Sequence, residues 1–175
     1  TMKNHFIGIM TGTSVDAIDI AELFINEEEC KLLNAKSFQF PEKMKNKILE
    51  ISRNKTGLDN FQISSFSDEL AYIYAKSINA FIYESNIDKE SVNAVGLHGQ
   101  TISHQPDEIN PNSIQIGNGE IVAQETGLII VNDFRSADIL AGGQGAPLAP
   151  LFHNRFFGKK DTTRAVINIG GIANI

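Results

Sequence analysis

The apolar positions of this chain fall into two rhythms: short runs broken by polar tips at the beginning, and a long three-and-four stripe in the middle. The run "FIGIM" (6–10) predicts a short buried strand, followed by a polar loop, "TGTSVD". "IDIAELFI" (18–25) alternates in part and predicts a second strand, the charged "NEEE" (26–29) suits a hairpin tip, and "KLLNAKSFQF" predicts a third strand ending before Pro41. Three strands joined by short turns imply an antiparallel meander. Pro41 suits the first turn of a helix, and "EKMKNKILEIS" continues it. Over 62–85, Ile63, Phe66, Leu70, Ile73, Ala75, Ile78, Phe81 and Ile82 recur at helical steps, which predicts an amphipathic helix whose stripe is core. Beyond it come strand-like runs, "AVGLHG" (94–99), "SIQIG" (113–117), "LIIVND" (128–133) and "RAVINIGG" (164–171). A short helix, "GEIVAQETG", closes on Gly127, and "LAPLFHNRFF" suits another. A meander followed by strands alternating with helices predicts an α/β layered domain, with the run from Ala165 opening a second one.

Composition narrows the class. The chain has 175 residues, room for one buried core and at most two small domains. With 42% hydrophobic and 21% charged residues it reads as a folded, soluble chain. A net charge of −6 without a basic stripe argues against nucleic acid and anionic membranes as partners. No apolar run approaches the roughly 20 residues needed to cross a bilayer, and "TMKNHFIGIM" lacks a signal-peptide cleavage site. Thr1 ahead of Met2 reads as a vector-derived extra residue. Cys30 is the sole cysteine, so an intrachain disulfide and a cysteine-based zinc site are excluded, and a cytoplasmic location is expected.

Glycine and polar residues gather at the ends of the apolar runs, after Met10, Leu97, Ile116, Val131 and Ile169. In open α/β sheets ligands sit beyond the C-terminal strand ends, so these clusters would line one cleft if they shared an edge. In "TGTSVDAID" Gly12 stands among hydroxyl residues, ahead of Asp16 and Asp19. Glycine lets backbone N–H groups approach an anion and Asp can hold Mg²⁺, yet an ordinary turn with an Asx bond explains the stretch equally well. No lysine follows at Walker A spacing. "HGQT" (98–101) offers donors and acceptors suited to sugar hydroxyls, though His98 alone reads better as a satisfied core histidine. In "NDFRSADI" Arg135 can grip a carboxylate, either a substrate's or that of Asp133 or Asp138 close by. "AGGQGAPLAP" (141–150) reads as a close-packed loop or a hinge. "GNG" (117–119) lacks the third glycine of a dinucleotide fingerprint because Val122 stands there, which argues against NAD.

Taken together, "GIMTGTSVDAID", "GLHGQT", "IQIGNGEIVAQETG", "VNDFRSADILAGGQGAPLAPLFH" and "RAVINIGGIANI" resemble, in this order, the anhydro-N-acetylmuramic acid kinases of the sugar kinase, heat-shock 70 and actin superfamily. The resemblance implies an α/β fold of the ribonuclease-H-like (actin-like ATPase) kind, a mixed sheet with helices on both faces. Residues 2–163 would form the first such domain and 164–175 the opening strand and turn of a second. It implies a cytoplasmic bacterial enzyme of cell-wall recycling, a homodimer, that uses ATP and Mg²⁺ to turn 1,6-anhydro-N-acetylmuramic acid into N-acetylmuramic acid 6-phosphate. By position it assigns ATP phosphates to Gly12, Thr13, Ser14, Val15, Asp16, Ala17, Ile18 and Asp19, and to Asn168, Gly170 and Gly171. It assigns the sugar to His98, Gly99, Gln100, Thr101, Asp133 and Arg135, and Mg²⁺ to Asp16 or Asp19, directly or through water. Thr11 stands where the family more usually has Ser, and Ala17 where it has Gly; the added methyl is harmless unless that position needs a positive φ. The family's general-base Asp, in an "FDxGPGN" motif, is expected beyond Ile175, so these residues alone are expected not to catalyse phosphoryl transfer. A sugar-binding module without catalysis, or a superfamily sugar kinase of other specificity, are the competing expectations.

Overall fold

A computed structural model describes residues 4–53, 59–105, 112–169 and 173–175. The meander forms as predicted: β1 (His5–Thr11), β2 (Ala17–Ile25) and β3 (Cys30–Gln39) pair antiparallel. The β2–β3 tip is held by the Asn26 side chain, which accepts from the backbone N–H groups of Glu28 and Glu29 at 2.8 Å. On its other side β1 pairs parallel with β4 (Val92–Leu97), and β4 with β7 (Ile130–Val131), giving the order β3-β2-β1-β4-β7. The sheet is therefore mixed, in an α/β domain.

Helix α1 (Glu42–Arg53) follows Pro41, and α2 (Asn60–Glu84) starts at a capping box in which Asp59 and Gln62 satisfy each other's backbone N–H. The stripe read from the sequence is the buried face: Phe66, Leu70, Tyr74, Ile78 and Phe81 are each at most 2% exposed. They join Ile7, Ile9, Ile18, Ile20, Val95 and Leu97 in one core. Each such side chain contributes about 1.5–3 kcal/mol on burial, so this seam dominates the fold's stability. Helix α3 (Gly119–Thr126) packs on α2 and ends in left-handed Gly127, φ 63°. The opposite face of the sheet carries a row of small residues in register, Ala35, Ala21, Gly8 and Gly96. They line a groove of about 630 Å³, with Phe134 lying over Gly96.

The structure adds elements that hydrophobic periodicity did not predict. Gln100–Gln105 forms β5, paired antiparallel with β6 (Asn112–Ile116). Ser136–Leu140 forms a short α4, whereas the helix expected over "LAPLFHNRFF" forms as α5 (Ala149–Phe157). Two predicted strands shrink. The run 128–133 pairs only over Ile130–Val131, because β4 ends at Leu97 and turns away at Gly99, φ 74°. Among the described residues of the run 164–171, pairing is confined to β8 (Asn168–Ile169), with β9 (Ala173–Asn174). Ile167 and Ile169 are 61% and 82% exposed, and among the described residues no other strand covers that hairpin. Among the described residues no helix is long and apolar enough to cross a membrane.

A candidate small-molecule site at the strand tips

Because β1, β4 and β7 run parallel, their C-terminal ends place Thr11, His98 and Asn132 along one edge. The tip of β6 joins them. A Cβ on Gly117 (φ 119°) would lie 3.8 Å from the Gly99 Cα and only 2.6 Å from the Tyr74 ring; a Cβ on Gly99 would lie 2.7 Å from the Ile116 carbonyl. Backbone sign and close approach both demand glycine at these two turns. They frame a pocket of about 330 Å³ lined by His98, Gly99, Gln115, Gly117, Asn132 and Asp133. A second cleft, about 660 Å³, shares Gln115, Gly117 and Asn132 and runs past Asp68 and Glu120. These are volumes that suit a small polar ligand. Four of the five polar clusters noted in the sequence thus meet. The fifth, after Ile169, includes Gly170 and Gly171, which lie outside the described residues; Asn168 is exposed in β8.

The pocket's floor is a knitted polar network. His98 Nε2 accepts from Arg135 Nε at 3.1 Å and Nη2 at 2.9 Å, so the ring proton sits on Nδ1 and donates to the Gly99 carbonyl at 2.9 Å. Burial pushes the His98 pKa down, the bond to Gly99 works the other way, and the Arg135 charge lowers it further. His98 is thereby held as the neutral Nδ1–H tautomer. Arg135 Nη1 donates to the Gly145 carbonyl at 2.9 Å, and Gly145 N–H donates to Asp138 at 2.7 Å, which ties loop 141–147 to the turn. Asp133, in the left-handed region at φ 54°, accepts from the Ser136 hydroxyl at 2.6 Å and its N–H at 3.3 Å. The aspartates near Arg135 therefore brace loops, while its guanidinium goes to His98 and Gly145. Gln100 points inward, 1% exposed, donating to the Thr101 carbonyl, and its Oε1 has no partner among the described residues. Thr101 Oγ1 accepts from Gln115 Nε2 at 3.3 Å. Only the first half of "HGQT" faces the pocket.

The loop after β1 is built differently. Gly12, Thr13 and Ser14 are exposed, and the turn closes through Val15 N–H to the Gly12 carbonyl at 3.1 Å. Val15 is fully buried with φ 54°, a strained conformation for a β-branched residue. The N–H groups of Thr13 and Ser14 are left without a protein acceptor among the described residues. Ile18 is core, and Ala17 opens β2 without a positive φ, so its methyl carries no strain. The two aspartates part company. Asp16 stands exposed in the turn; bonds from Ser14 and from Lys45, 3.2 Å away, hold its carboxyl below the ordinary range. Asp19 lies on the open sheet face and accepts from Ser37 at 2.5 Å. Among the described residues no cluster of three or more His, Cys, Asp or Glu could hold a metal.

Gln115 and Ser136 escaped the sequence reading, while Gly117 and Asn132 entered it as the heads of the clusters after Ile116 and Val131. Ser136 follows Arg135 directly, and Gln115 alternates with the apolar residues of β6.

A mixed α/β sheet whose parallel tips gather glycine turns, hydroxyls and an oriented arginine defines a small-molecule-binding domain of the kind sugar kinases use. The family description "Anhydro-N-acetylmuramic acid kinase" matches residues 4–175, and the chain belongs to that family. It is 41% identical over 174 residues to an anhydro-N-acetylmuramic acid kinase of Sulfurimonas denitrificans, covering 99% of this chain and 47% of that one. It is 39% identical over 173 residues to the one of Sulfurovum sp. (strain NBC37-1), covering 99% and 48%. The chain spans about half the length of these curated relatives.

Proposed function

We propose that this chain is the first half of an ATP-dependent kinase that opens the anhydro bridge of 1,6-anhydro-N-acetylmuramic acid with water and phosphorylates O6, yielding N-acetylmuramic acid 6-phosphate. Residues 2–163 supply one wall of the cleft, and 164–175 begin the second domain. The observation that carries this reading is the common rim. A preformed pocket lined by His98, whose ring Arg135 holds, sits on the same edge as an exposed glycine–hydroxyl turn whose Thr13 and Ser14 N–H groups have no protein acceptor among the described residues. Sugar hydroxyls, ring oxygens and a carboxylate are the groups that Arg135, Asn132, Gln115 and the Gly99 and Gly117 turns are suited to meet.

Phosphoryl transfer is mostly positioning and charge stabilisation. On this side, Gly12, Thr13 and Ser14 present backbone donors to phosphate oxygens, and the strained Val15 anchors that turn in the core. Mg²⁺, when bound with ATP, neutralises charge on the phosphates. Asp16, exposed in the turn beside the loop N–H groups, would hold an ion ligated chiefly by phosphate oxygens and water, and it lies nearer them than Asp19, which is on the open sheet face. The general base lies on the part of the kinase beyond this chain, in a cytoplasmic homodimer with no role for nucleic acid. The test is to incubate the full-length protein with the anhydro sugar, ATP and Mg²⁺ and look by mass spectrometry for a product heavier by one water and one phosphoryl group. Its absence would refute the kinase reading.

A second reading, a sugar-binding module, is favoured by one fact: the 330 Å³ pocket is lined by this chain without help. Saturable sugar binding without turnover in the full-length protein would select it.

A further inference from the structure

We infer that Tyr74 is a positioning residue that locks the phosphate-side loop and the sugar-side turn into one register, an inference that rests on the kinase reading. Tyr74 belongs to the stripe of α2 that the sequence presents as core, and its side chain is fully buried. A Phe at that position would fill the same volume. The hydroxyl is what needs explaining, since a buried phenol must find a partner.

Its partner is the Thr11 hydroxyl at 3.0 Å. Thr11 is the last residue of β1, directly ahead of the exposed Gly12–Ser14 turn, and is itself only 3% exposed. Thr11 Oγ1 in turn donates to the Gly99 carbonyl at 3.3 Å. That assignment fixes the direction of the chain: Tyr74 O–H donates to Thr11, and Thr11 O–H donates to Gly99. Burial pushes the Tyr74 phenol up, so its proton stays in place. The same Gly99 carbonyl also accepts from His98 Nδ1, whose other nitrogen accepts from Arg135. One continuous run of hydrogen bonds thus joins helix α2, the root of the phosphate-side loop, the Gly99 turn and the arginine of the pocket.

The ring contributes as well. Gly117 packs so closely on its edge that a Cβ would lie 2.6 Å from Cε2. Three turns that arise from β1, β4 and β6 therefore rest on one rigid side chain with its own helix behind it. In a reaction where the phosphoryl group and its acceptor come from opposite ends of this rim, small errors in their separation act on the transition state more than on either ligand's binding.

The test uses the full-length protein with Tyr74→Phe, Thr11→Val and Thr11→Ser. Tyr74→Phe and Thr11→Val are expected to lower kcat about tenfold while KM for sugar and for ATP each change less than about twofold. Their double variant should be no worse than the poorer single one, because both cut the same bond. Thr11→Ser, which keeps the hydroxyl, should stand nearer wild type than Thr11→Val. A Tyr74→Phe enzyme with wild-type kcat, whatever its melting temperature, overturns the inference. If the wild-type protein proves not to be a kinase, amide exchange decides: Tyr74→Phe should release Val15 and His98 together, and release of neither, or of one alone, overturns it.

Discussion

The two ends of the strand-tip rim are made by opposite strategies. At the His98 end the charged groups are committed: Arg135 to His98 and Gly145, Asp138 to Gly145, Asp133 to Ser136. At the other end Gly12, Thr13 and Ser14 stand exposed beside the Asp16–Lys45 ion pair, the Thr13 and Ser14 N–H groups without a protein acceptor among the described residues. The pocket beside His98 is preorganised within this chain, whereas the loop after β1 presents open donors without such a frame. On the proposed kinase reading, small-molecule specificity belongs to the His98 end, and tight phosphate binding requires both walls of the cleft.

Substitutions at the two glycine turns draw this contrast most sharply. Gly117→Ala forces a Cβ into the Tyr74 ring at a φ of 119° and should cost about 3 kcal/mol or more, measured by denaturant unfolding. Gly12→Ala meets only the Ser14 hydroxyl at 3.6 Å and should cost less than about 0.5 kcal/mol. Equal losses would erase the distinction between a rigid and an open end. Arg135→Ala comes next. It strips both half-buried bonds to His98 and the one to Gly145, for about 1–2 kcal/mol, and should weaken sugar binding about tenfold or more by calorimetry. Unchanged affinity would remove the sugar assignment from this residue.

A smaller effect follows from the histidine. Its folded pKa is depressed below the ordinary 6.5, chiefly by burial, so the unfolded chain binds the proton more readily. The stability it contributes is complete above pH 6.5 and is lost as pH falls from there through the folded pKa. His98→Gln should flatten that portion of the stability–pH curve and leave the rest unchanged; a curve identical to wild type would contradict the neutral tautomer. The smallest effect on folding belongs to Asp16→Asn, which should leave the melting temperature unmoved while lowering Mg²⁺-dependent turnover of the full-length protein about tenfold.

Much of the scaffold was legible in the sequence because its signals are local. The stripe on α2 must face a core, and the short runs around "NEEE" cannot avoid a hairpin. Strand β5 was not legible, since Gln100 and Thr101 look like loop residues; Gln100 is a buried polar side chain in a strand that pairs with Ile116. The exposed hairpin of β8 and β9 shows the converse: apolar residues at 167 and 169 predicted a longer strand, but extended pairing needs a neighbouring strand. At the site, individual residues were flagged from type and spacing, and the family resemblance placed them together. The bonds themselves were not foreseeable. His98 and Arg135 lie 37 positions apart, and their pairing depends on where β4 ends and how loop 141–147 folds back.

The central claim, a sugar pocket already formed at these strand tips, is tested most directly by an NMR titration of the 175-residue chain with 1,6-anhydro-N-acetylmuramic acid. Saturable shifts are expected at the amides of Gly99, Gly117 and Asn132 and at the Arg135 side chain, with the Gly12–Ser14 loop little moved. A flat titration, or shifts confined to residues away from that rim, would contradict it.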